Sequence, residues 1–338
     1  WRSRPPPPPP APAPAQKAAP TFGGGAKSPP GFGKAPPSFG GQAATPQWGG
    51  QAGTANVNAN AAPPLDQNLL PDGGPNEMQK TNVGTVMFNP KDTLAGRSLD
   101  KYGEYMRDEL ELLKQVVRAG DYVVDAGAMY GTTALGLSKV VGDQGSVYAF
   151  EPQRVLHQLL CSNFAMNGAF HAHCRQEALG AQEGEVVVPA VDISKEGCHG
   201  CTALDATNYL GETVKMLTVD GLNLMKLRLL KADVEGMELD VVKGAVKTIN
   251  MFKPALYVRA HYTPEDNTLS PKTQELARFI QGLNYDMYWH FVRLYQPDNF
   301  YGNSDNVYGE DTILYILAVP HVEGSTIEGL EPVQVPPA

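Results

Sequence analysis

Two short runs near the middle of the chain have the residue types and spacing of a nucleoside site. The first, Asp125-Ala126-Gly127-Ala128-Met129-Tyr130-Gly131, follows an apolar strand pattern and places two glycines before a helix pattern. Glycine at 127 lets the backbone approach a ligand closely, and glycine at 131 lets the helix pack against the strand. The second, Phe150-Glu151-Pro152, ends the next strand, and its carboxylate can accept both hydroxyl protons of a ribose. Together they predict a cofactor that contains a nucleoside.

A third run, Lys231-Ala232-Asp233-Val234-Glu235-Gly236, follows another buried apolar strand. Acids at the end of such a strand are costly to bury without a partner, so they serve either as ligand contacts or as caps of the next helix. Asp233, at the tip of the strand, is the stronger functional candidate. Helix capping stays open for Glu235 and Glu238.

The elements that must position these residues alternate along the chain. Periodicity predicts helices over 98–118, 132–141, 153–167, 238–249 and 271–283, and strands over 122–125, 146–150, 170–178, 185–191, 227–233, 255–260 and 312–319. Strands that alternate with helices indicate an α/β fold with an open, mostly parallel central sheet and helices on both faces. Ligands of such sheets bind beyond the carboxyl ends of the strands, where all three runs lie.

Proline and glycine, which interrupt helices and strands, are concentrated at the start of the chain. Residues 1–80 hold 18 of the 29 prolines and 12 of the 35 glycines. Three regions are therefore expected: a disordered Pro/Gly/Ala-rich tail over 1–80, one globular domain over 81–322, and a flexible C-terminal tail over 323–338. The proline run at residues 5–10 favours polyproline II, which could bind an SH3-type partner, although a linker without a dedicated partner is the preferred interpretation.

Charge and hydropathy exclude several classes of function. The formal net charge is −9, yet the first 80 residues carry six basic and three acidic residues, so the globular part is strongly acidic. An acidic domain is a poor match for a phosphate backbone, and no nucleic-acid partner is expected. No apolar run reaches the length of a membrane span, so we expect a soluble protein, cytoplasmic or organellar. The chain begins with Trp, so a targeting segment is not readable.

The four cysteines leave three interpretations open. Cys198-His199-Gly200-Cys201 has the spacing of half a zinc site, but no second pair follows to complete it, and no metal is predicted. A redox or disulfide pair is the second interpretation. A plain loop with two small apolar thiols is the preferred one.

From about residue 84 to 320 the chain resembles the FkbM-type S-adenosylmethionine-dependent methyltransferases. The resemblance is carried by the three runs above, by Thr218-Val219-Asp220, and by Tyr288-Trp289-His290. It implies a Rossmann-like class I methyltransferase fold, S-adenosylmethionine as cofactor, and O-methylation of a sugar or another small hydroxylated molecule. The positions that this assigns to the cofactor are Asp125, Gly127, Ala128, Gly131, Glu151, Glu177 and Asp233.

A hydroxyl acceptor needs a base within hydrogen-bond reach. The candidates are His261, just past the strand predicted over 255–260, and His290, because histidine titrates near neutral pH. Asp233 or Glu235 is the alternative. The aromatic segment over 285–301 either stacks on a sugar or covers the sheet, and core or lid packing is the preferred interpretation.

Two positions depart from the family pattern. Met129 stands where the family commonly has Asn, and Arg259 stands where it often has Glu. These departures keep open a methyltransferase fold that binds cofactor or a partner without catalysis. A third possibility is an NAD-dependent oxidoreductase, since a glycine turn and a ribose acid suit both cofactors; it leaves the run at 231–236 unexplained.

Overall fold

The computed structural model describes residues 74–201, 204, 210–262, 268–324 and 326–335. Residues 1–73 of the predicted tail, with the proline run proposed for an SH3-type partner, lie outside the described residues.

The central sheet has eight strands and follows the predicted alternation. Its order is β13-β11-β12-β10-β9-β3-β4-β5. The bounds are β3 Tyr122–Ala126, β4 Ser146–Phe150, β5 Ala172–Arg175, β9 Leu229–Ala232, β10 Ala255–Arg259, β11 Tyr285–Arg293, β12 Thr312–Pro320 and β13 Glu331–Pro332.

The strand order has a reversal at β3. From β3, successive parallel strands run outward to β4 and β5 on one side, and to β9 and β10 on the other. β12 is antiparallel to both β10 and β11, so it inserts between them against the direction of the rest. Numbered along the seven main strands, the order is 3-2-1-4-5-7-6 with the seventh antiparallel, which is the class I methyltransferase arrangement expected from the resemblance. The fold prediction is confirmed.

Seven helices are described, and they cover both faces of the sheet. The bounds are α1 Ala95–Tyr102, α2 Arg107–Val116, α3 Thr132–Val141, α4 Arg154–Met166, α5 Glu238–Lys243, α6 Val246–Phe252 and α7 Pro271–Gly282. Helices α1 to α4 pack on one face in one core cluster, and α5 to α7 pack on the other face in a second cluster. Adjacent residues of a strand point to opposite faces, so Val123 enters the first cluster and Val124 the second. None of the described helices combines the length and apolar composition needed to cross a bilayer.

Two small sheets complete the fold. β1 Glu77–Thr81 and β2 Gly84–Phe88 form an antiparallel hairpin. β6 Ala178–Leu179, β7 Gly184–Pro189 and β8 Gly211–Leu217 form a three-stranded sheet in the order β6-β8-β7. The hairpin begins four residues before the predicted domain boundary at 81, and β13 lies within the predicted C-terminal tail.

Two predicted helices are each broken in two, and a glycine lies at each break. The helix predicted over 98–118 ends at Gly103, which is left-handed (φ 65°) and lies against the rings of Phe300 and Tyr301. The helix predicted over 238–249 breaks at Gly244, where a β-carbon would lie 2.0 Å from the carbonyl oxygen of Gly180. The close approach of another segment, rather than helix propensity, sets both breaks.

The strand predictions need two corrections. The strand predicted over 170–178 is two strands, because after β5 the chain leaves the main sheet and β6 pairs with β8 instead. The aromatic segment contains the nine-residue β11, in which Tyr285 and Tyr288 are buried. Those two rings therefore pack in the core, as the preferred interpretation expected.

Candidate active site

Three cavities meet at the carboxyl ends of β3, β4 and β9, where Gly127 and Asp233 line all of them. We name each by one lining residue. The Phe150 lobe has about 530 Å³ of empty space and also contains Glu151 and Glu177. The Glu109 lobe has about 390 Å³ and contains Asp125 and Lys231; the Arg259 lobe has about 400 Å³ and contains Tyr105 and Met129.

Gly127 is required by the backbone at the junction of the lobes. Its φ is 79°, and a β-carbon there would lie 1.9 Å from the carbonyl oxygen of Asp233. The amides of Gly127 and Ala128 both donate to the carbonyl of Phe150, at 2.9 and 3.0 Å, which ties the turn to β4. Gly131 lines none of the three lobes; a β-carbon there would meet Leu160, so its role is to seat α3 against α4.

Glu151 lies at the junction of the Phe150 and Arg259 lobes and is 5% exposed. Its Oε2 accepts from the Met129 amide at 2.9 Å and its Oε1 from the Gln153 amide at 2.9 Å. Burial raises the pKa of Glu151 to about 7, against the two amides, which lower it. Each carboxylate oxygen still has a lone pair for a ligand hydroxyl. Met129 is itself left-handed (φ 53°), a conformation that Asn tolerates better than Met.

The Glu109 lobe has a buried ionic network that the sequence did not predict. Asp125 and Lys231 are register partners on β3 and β9, and their side chains meet at 2.9 Å. Glu109, on α2, is 1% exposed and accepts from the Thr133 hydroxyl at 2.6 Å. Asp125 Oδ2 and Glu109 Oε2 are buried without a hydrogen-bond partner among the described residues.

The charges of this network depend on one lysine. Burial raises the pKa of Glu109 to about 7, while Lys231 and the Thr133 hydroxyl lower it. Burial alone would lower the pKa of Lys231, but Asp125 and Glu109 raise it above its usual value. Lys231 is therefore a cation. The carboxylate oxygens of Asp125 and Glu109 that have no partner could bind a second cationic group.

Asp233 is an anion held on two sides. Arg259 donates to its Oδ1 at 3.2 Å, and the Tyr315 hydroxyl donates to its Oδ2. Burial alone would raise the pKa of Asp233, but Arg259, Lys231 and the Tyr315 hydrogen bond lower it below its usual value. A carboxylate with a lowered pKa is a weak base, so the geometry favours an electrostatic role for Asp233 over proton transfer.

Glu177, which the resemblance assigned to the cofactor, lies in the wall of the Phe150 lobe. It is fixed by Arg175, whose Nε and Nη2 donate to its carboxylate at 2.8 and 2.9 Å. Such a bidentate pair holds a carboxylate in one orientation.

The two histidines proposed as bases lie in different places. His261 Nε2 lies 3.4 Å from Glu238 Oε1, beside Glu235 and Arg259 of the Arg259 lobe, and its side chain is 29% exposed. The Glu238 hydrogen bond raises the pKa of His261, against burial, which lowers it. His290 lies on β11, with its Nδ1 2.8 Å from the Tyr257 hydroxyl, and lines none of the three lobes.

The Tyr257 ring stacks on Tyr315 at 4.6 Å between ring centroids. Two tyrosine rings therefore separate His290 from Asp233. Neither histidine lines a lobe, but His261 lies next to Glu235 and Arg259 of the Arg259 lobe, whereas His290 contacts Tyr257.

The cysteine loop forms part of the wall, which corrects the preferred interpretation of two free thiols. Cys198 and Cys201 are joined by a disulfide, and both line the Arg259 lobe. Gln153 donates to the carbonyl of His199 at 2.9 Å, and Gly200 packs against the Met129 side chain. Cys161 and Cys174 are also joined by a disulfide.

Comparison with known proteins identifies the domain. Residues 125–287 match the profile of the methyltransferase FkbM domain. The chain therefore contains a methyltransferase FkbM domain. Over 197 residues it is 26% identical to the hexuronic acid methyltransferase AglP of Haloferax volcanii, an alignment that covers 56% of this chain and 77% of that protein.

Two solved structures are also similar to this chain. The methyltransferase FkbM of Methylobacillus flagellatus KT is 20% identical, with a TM-score of 0.37, and the match covers 62% of this chain and 50% of that one. The O-methyltransferase of Bacillus cereus, solved in complex with SAH, is 11% identical, with a TM-score of 0.39, and covers 64% and 81% respectively. The chain thus spans half the length of the Methylobacillus protein.

The family confirms the methyltransferase class and the cofactor, S-adenosylmethionine, that the resemblance implied. It gives no support to the NAD-dependent alternative. The residues present also fit this cofactor. Its positive charge matches the two buried carboxylate oxygens without a partner, on Asp125 and Glu109, and its ribose matches the carboxylate of Glu151. The turn at Gly127 leaves no space for a β-carbon, which suits a close approach of backbone and ligand.

Proposed function

We propose that this chain transfers the methyl group of S-adenosylmethionine to a hydroxyl of a sugar or another small hydroxylated molecule. The observation that carries the proposal is that the Phe150, Glu109 and Arg259 lobes meet at Gly127 and Asp233. A methyl transfer needs three adjoining spaces, for the adenosine, the methionine part and the acceptor.

The Phe150 lobe suits the adenosine. Glu151, at the edge of this lobe, accepts hydrogen bonds from the ribose hydroxyls. The backbone amides of Met129 and Gln153 hold its carboxylate in position for these bonds. Leu179 and Phe150 supply apolar surface for the base, and Glu177 closes the lobe at the end of β5. Most of the binding specificity for a nucleoside therefore comes from this lobe.

The Glu109 lobe suits the methionine part. Asp125 Oδ2 and Glu109 Oε2 offer two buried acceptors for an ammonium group, which would offset the repulsion between the two acids. Asp233, kept ionised by Arg259, places a further negative charge at the junction of the lobes, where it favours a positively charged sulfonium.

The Arg259 lobe suits the acceptor. His261 is the residue best placed to take the acceptor's proton, because Glu238 orients its Nε2 and its Nδ1 has no hydrogen-bond partner among the described residues. The cofactor, when bound, supplies an already activated methyl group. The protein has only to hold the acceptor in line, exclude water and accept one proton at His261.

A sugar acceptor is supported by the name of one relative and by the charge of the lobe. The Haloferax volcanii relative is described as acting on hexuronic acid, a sugar that carries a carboxylate. Arg259 lines the acceptor lobe, and within the described part of the chain Asp233 and Glu235 contact its Nη1. The remaining guanidinium donors suit an anionic sugar better than the Glu often found at this position in the family.

The test is a transfer assay with the full chain, S-adenosylmethionine labelled in its methyl group, and matched pairs of neutral hexoses and hexuronic acids. The proposal expects label in a sugar, with the methyl ether distinguished from a methyl ester by its resistance to mild base. Label only in esters would move the reaction to the carboxylate. Tight binding of S-adenosylhomocysteine with no transfer to any hydroxylated acceptor would favour the non-catalytic alternative.

A further inference from the structure

Three metal-binding side chains converge at the edge of the central sheet, outside the three-lobed site. His157 and Cys161 are four residues apart on α4, so they share one face of the helix, and Cys174 faces them from β5. The ligand atoms of the three residues all lie within 4.8 Å of one another, and each residue is partly buried. Within the described residues, this is the one group of three or more His, Cys, Asp or Glu side chains with such a geometry.

The imidazole of His157 is already oriented towards the sulfur atoms. Its Nε2 lies 3.3 Å from Cys161 Sγ, and the ligand atoms of the histidine and of both cysteines lie within 4.8 Å of one another.

We propose that Cys161 and Cys174, when reduced, form with His157 a binding site for a thiolate-preferring divalent ion such as Zn²⁺. Ligand atoms of a tetrahedral zinc centre lie about 3.5 Å apart, given Zn–S and Zn–N bonds of roughly 2.3 and 2.0 Å, so the three atoms need only small side-chain rotations. A water molecule would supply the fourth ligand, since no fourth His, Cys, Asp or Glu side chain of the described residues joins this group.

The disulfide and the metal are alternative states of the same two sulfur atoms. A dithiol reductant supplies two electrons and two protons, breaks the Cys161–Cys174 bond to give two thiols, and becomes a disulfide itself. Binding of Zn²⁺ to the two sulfur atoms then releases the two thiol protons. The site therefore exists only in the reduced chain.

The second disulfide supplies a matched control. Cys198 and Cys201 also have a histidine nearby, His199, but its Nε2 lies 3.0 Å from the carbonyl of Lys195 and the residue is 2% exposed. Among the described residues, no His, Cys, Asp or Glu side chain forms a three-ligand group with this pair, so it lacks the third ligand that His157 gives the first pair. The two pairs differ in the one feature on which the proposal depends.

The test uses the full chain, reduced with a dithiol and freed of it without oxygen, and titrated with Zn²⁺ against a chromophoric chelator. We expect one tightly bound ion per reduced wild-type chain, and none in the oxidised chain. His157→Ala should weaken binding at least tenfold, Cys161→Ser with Cys174→Ser should abolish it, and Cys198→Ser with Cys201→Ser should leave it unchanged. Binding that survives loss of the first pair, or is absent from the reduced wild type, would overturn the proposal.

Replacement of Zn²⁺ by Co²⁺ in the wild type gives a readout that needs no variant to fold. The proposal expects thiolate-to-cobalt charge-transfer absorption together with the visible bands of a tetrahedral ion. A spectrum without the thiolate band would show that the sulfur atoms are not ligands and would reject the site.

Discussion

Two ion pairs border the active site, and they differ in depth. In the inner pair, Lys231 and Asp125 have side chains that are 5% and 1% exposed. In the outer pair, Arg259 and Asp233 are 17% and 20% exposed. Both pairs join neighbouring parallel strands, so the difference comes from position along the strands, not from their pairing.

The difference separates the roles of the two pairs. The inner pair is surrounded by α2, α3 and the sheet, where water cannot screen a charge, so each partner needs the other. The outer pair faces the Arg259 lobe, where solvent and an acceptor can replace some of its contacts. We expect substitutions in the inner pair to act on stability, and substitutions beside the outer pair to act on turnover.

The largest expected effect is on stability. Lys231→Met leaves Asp125 and Glu109 buried without their cation and should lower the free energy of unfolding by about 3–5 kcal/mol in urea denaturation. Arg259→Met, in the outer pair, should lower it less, by about 1–2 kcal/mol.

The surface pair of Lys243 and Glu275, with side chains 38% and 62% exposed, provides the control. Lys243→Met should change the stability by less than about 1 kcal/mol. Equal losses for Lys231→Met and Lys243→Met would remove the distinction between the inner pair and the surface.

The next effect is on catalysis and compares the two histidines. His261→Ala should lower kcat about a hundredfold at unaltered affinity for S-adenosylhomocysteine, because it removes the proton acceptor beside the outer pair. His290→Ala should leave kcat unchanged, since two tyrosine rings separate it from Asp233. In wild type, kcat should rise with pH through the raised pKa of His261, because only the neutral ring accepts a proton. A normal kcat in His261→Ala would remove this residue from the mechanism.

The third effect is on cofactor affinity. Glu151→Gln should weaken binding of S-adenosylhomocysteine by about 1.5–3 kcal/mol, the scale of a hydrogen bond to a charged group. Because burial raises the pKa of Glu151 to about 7, its carboxylate is mostly protonated at pH 6 and mostly ionised at pH 8. Affinity for S-adenosylhomocysteine should therefore rise roughly tenfold over that range in wild type, and should be flat in Glu151→Gln. The same pH slope in both proteins would assign the titration to another group.

The smallest effect is on cofactor affinity when Gly127 is replaced, and it separates a steric clash from backbone strain. Gly127→Ala and Gly120→Ala both place a side chain at positive φ, 79° and 84°, which costs about 1 kcal/mol. Only at 127 does the new β-carbon meet another segment, the carbonyl oxygen of Asp233. Isothermal titration should show S-adenosylhomocysteine affinity at least tenfold weaker in Gly127→Ala and unchanged in Gly120→Ala. Similar losses in both would mean that strain, and not the junction of the lobes, controls binding.

The sequence predicted the parts of the site that follow strands directly. Asp125, Glu151 and Asp233 each lie within one residue of the end of a parallel strand, and parallel strands bring their carboxyl ends to one edge. The position of Gly127 followed from the same rule. These predictions needed only the order of elements along the chain.

The parts that the sequence did not predict depend on which strands and helices are neighbours. The pairing of Asp125 with Lys231 requires the register of β3 with β9, which are about a hundred residues apart in the chain. Glu109 belongs to the buried stripe of α2, three residues after Met106 and four before Leu113, and that spacing was a usable signal. Arg259 meets Asp233 because β10 is the parallel neighbour of β9. Tyr315 meets Asp233 only because β12 inserts beside β10, a reversal that no local pattern predicts.

The most direct test of the central claim is a calorimetric titration of the full chain with S-adenosylmethionine, S-adenosylhomocysteine and NAD, repeated with Glu151→Gln. The claim is that the site at the ends of β3, β4 and β9 binds the methyl donor. It predicts one site per chain, micromolar binding of the first two ligands, no binding of NAD, and weaker binding of both sulfur ligands in the variant. Binding of NAD alone, or equal affinities in wild type and variant, would contradict it.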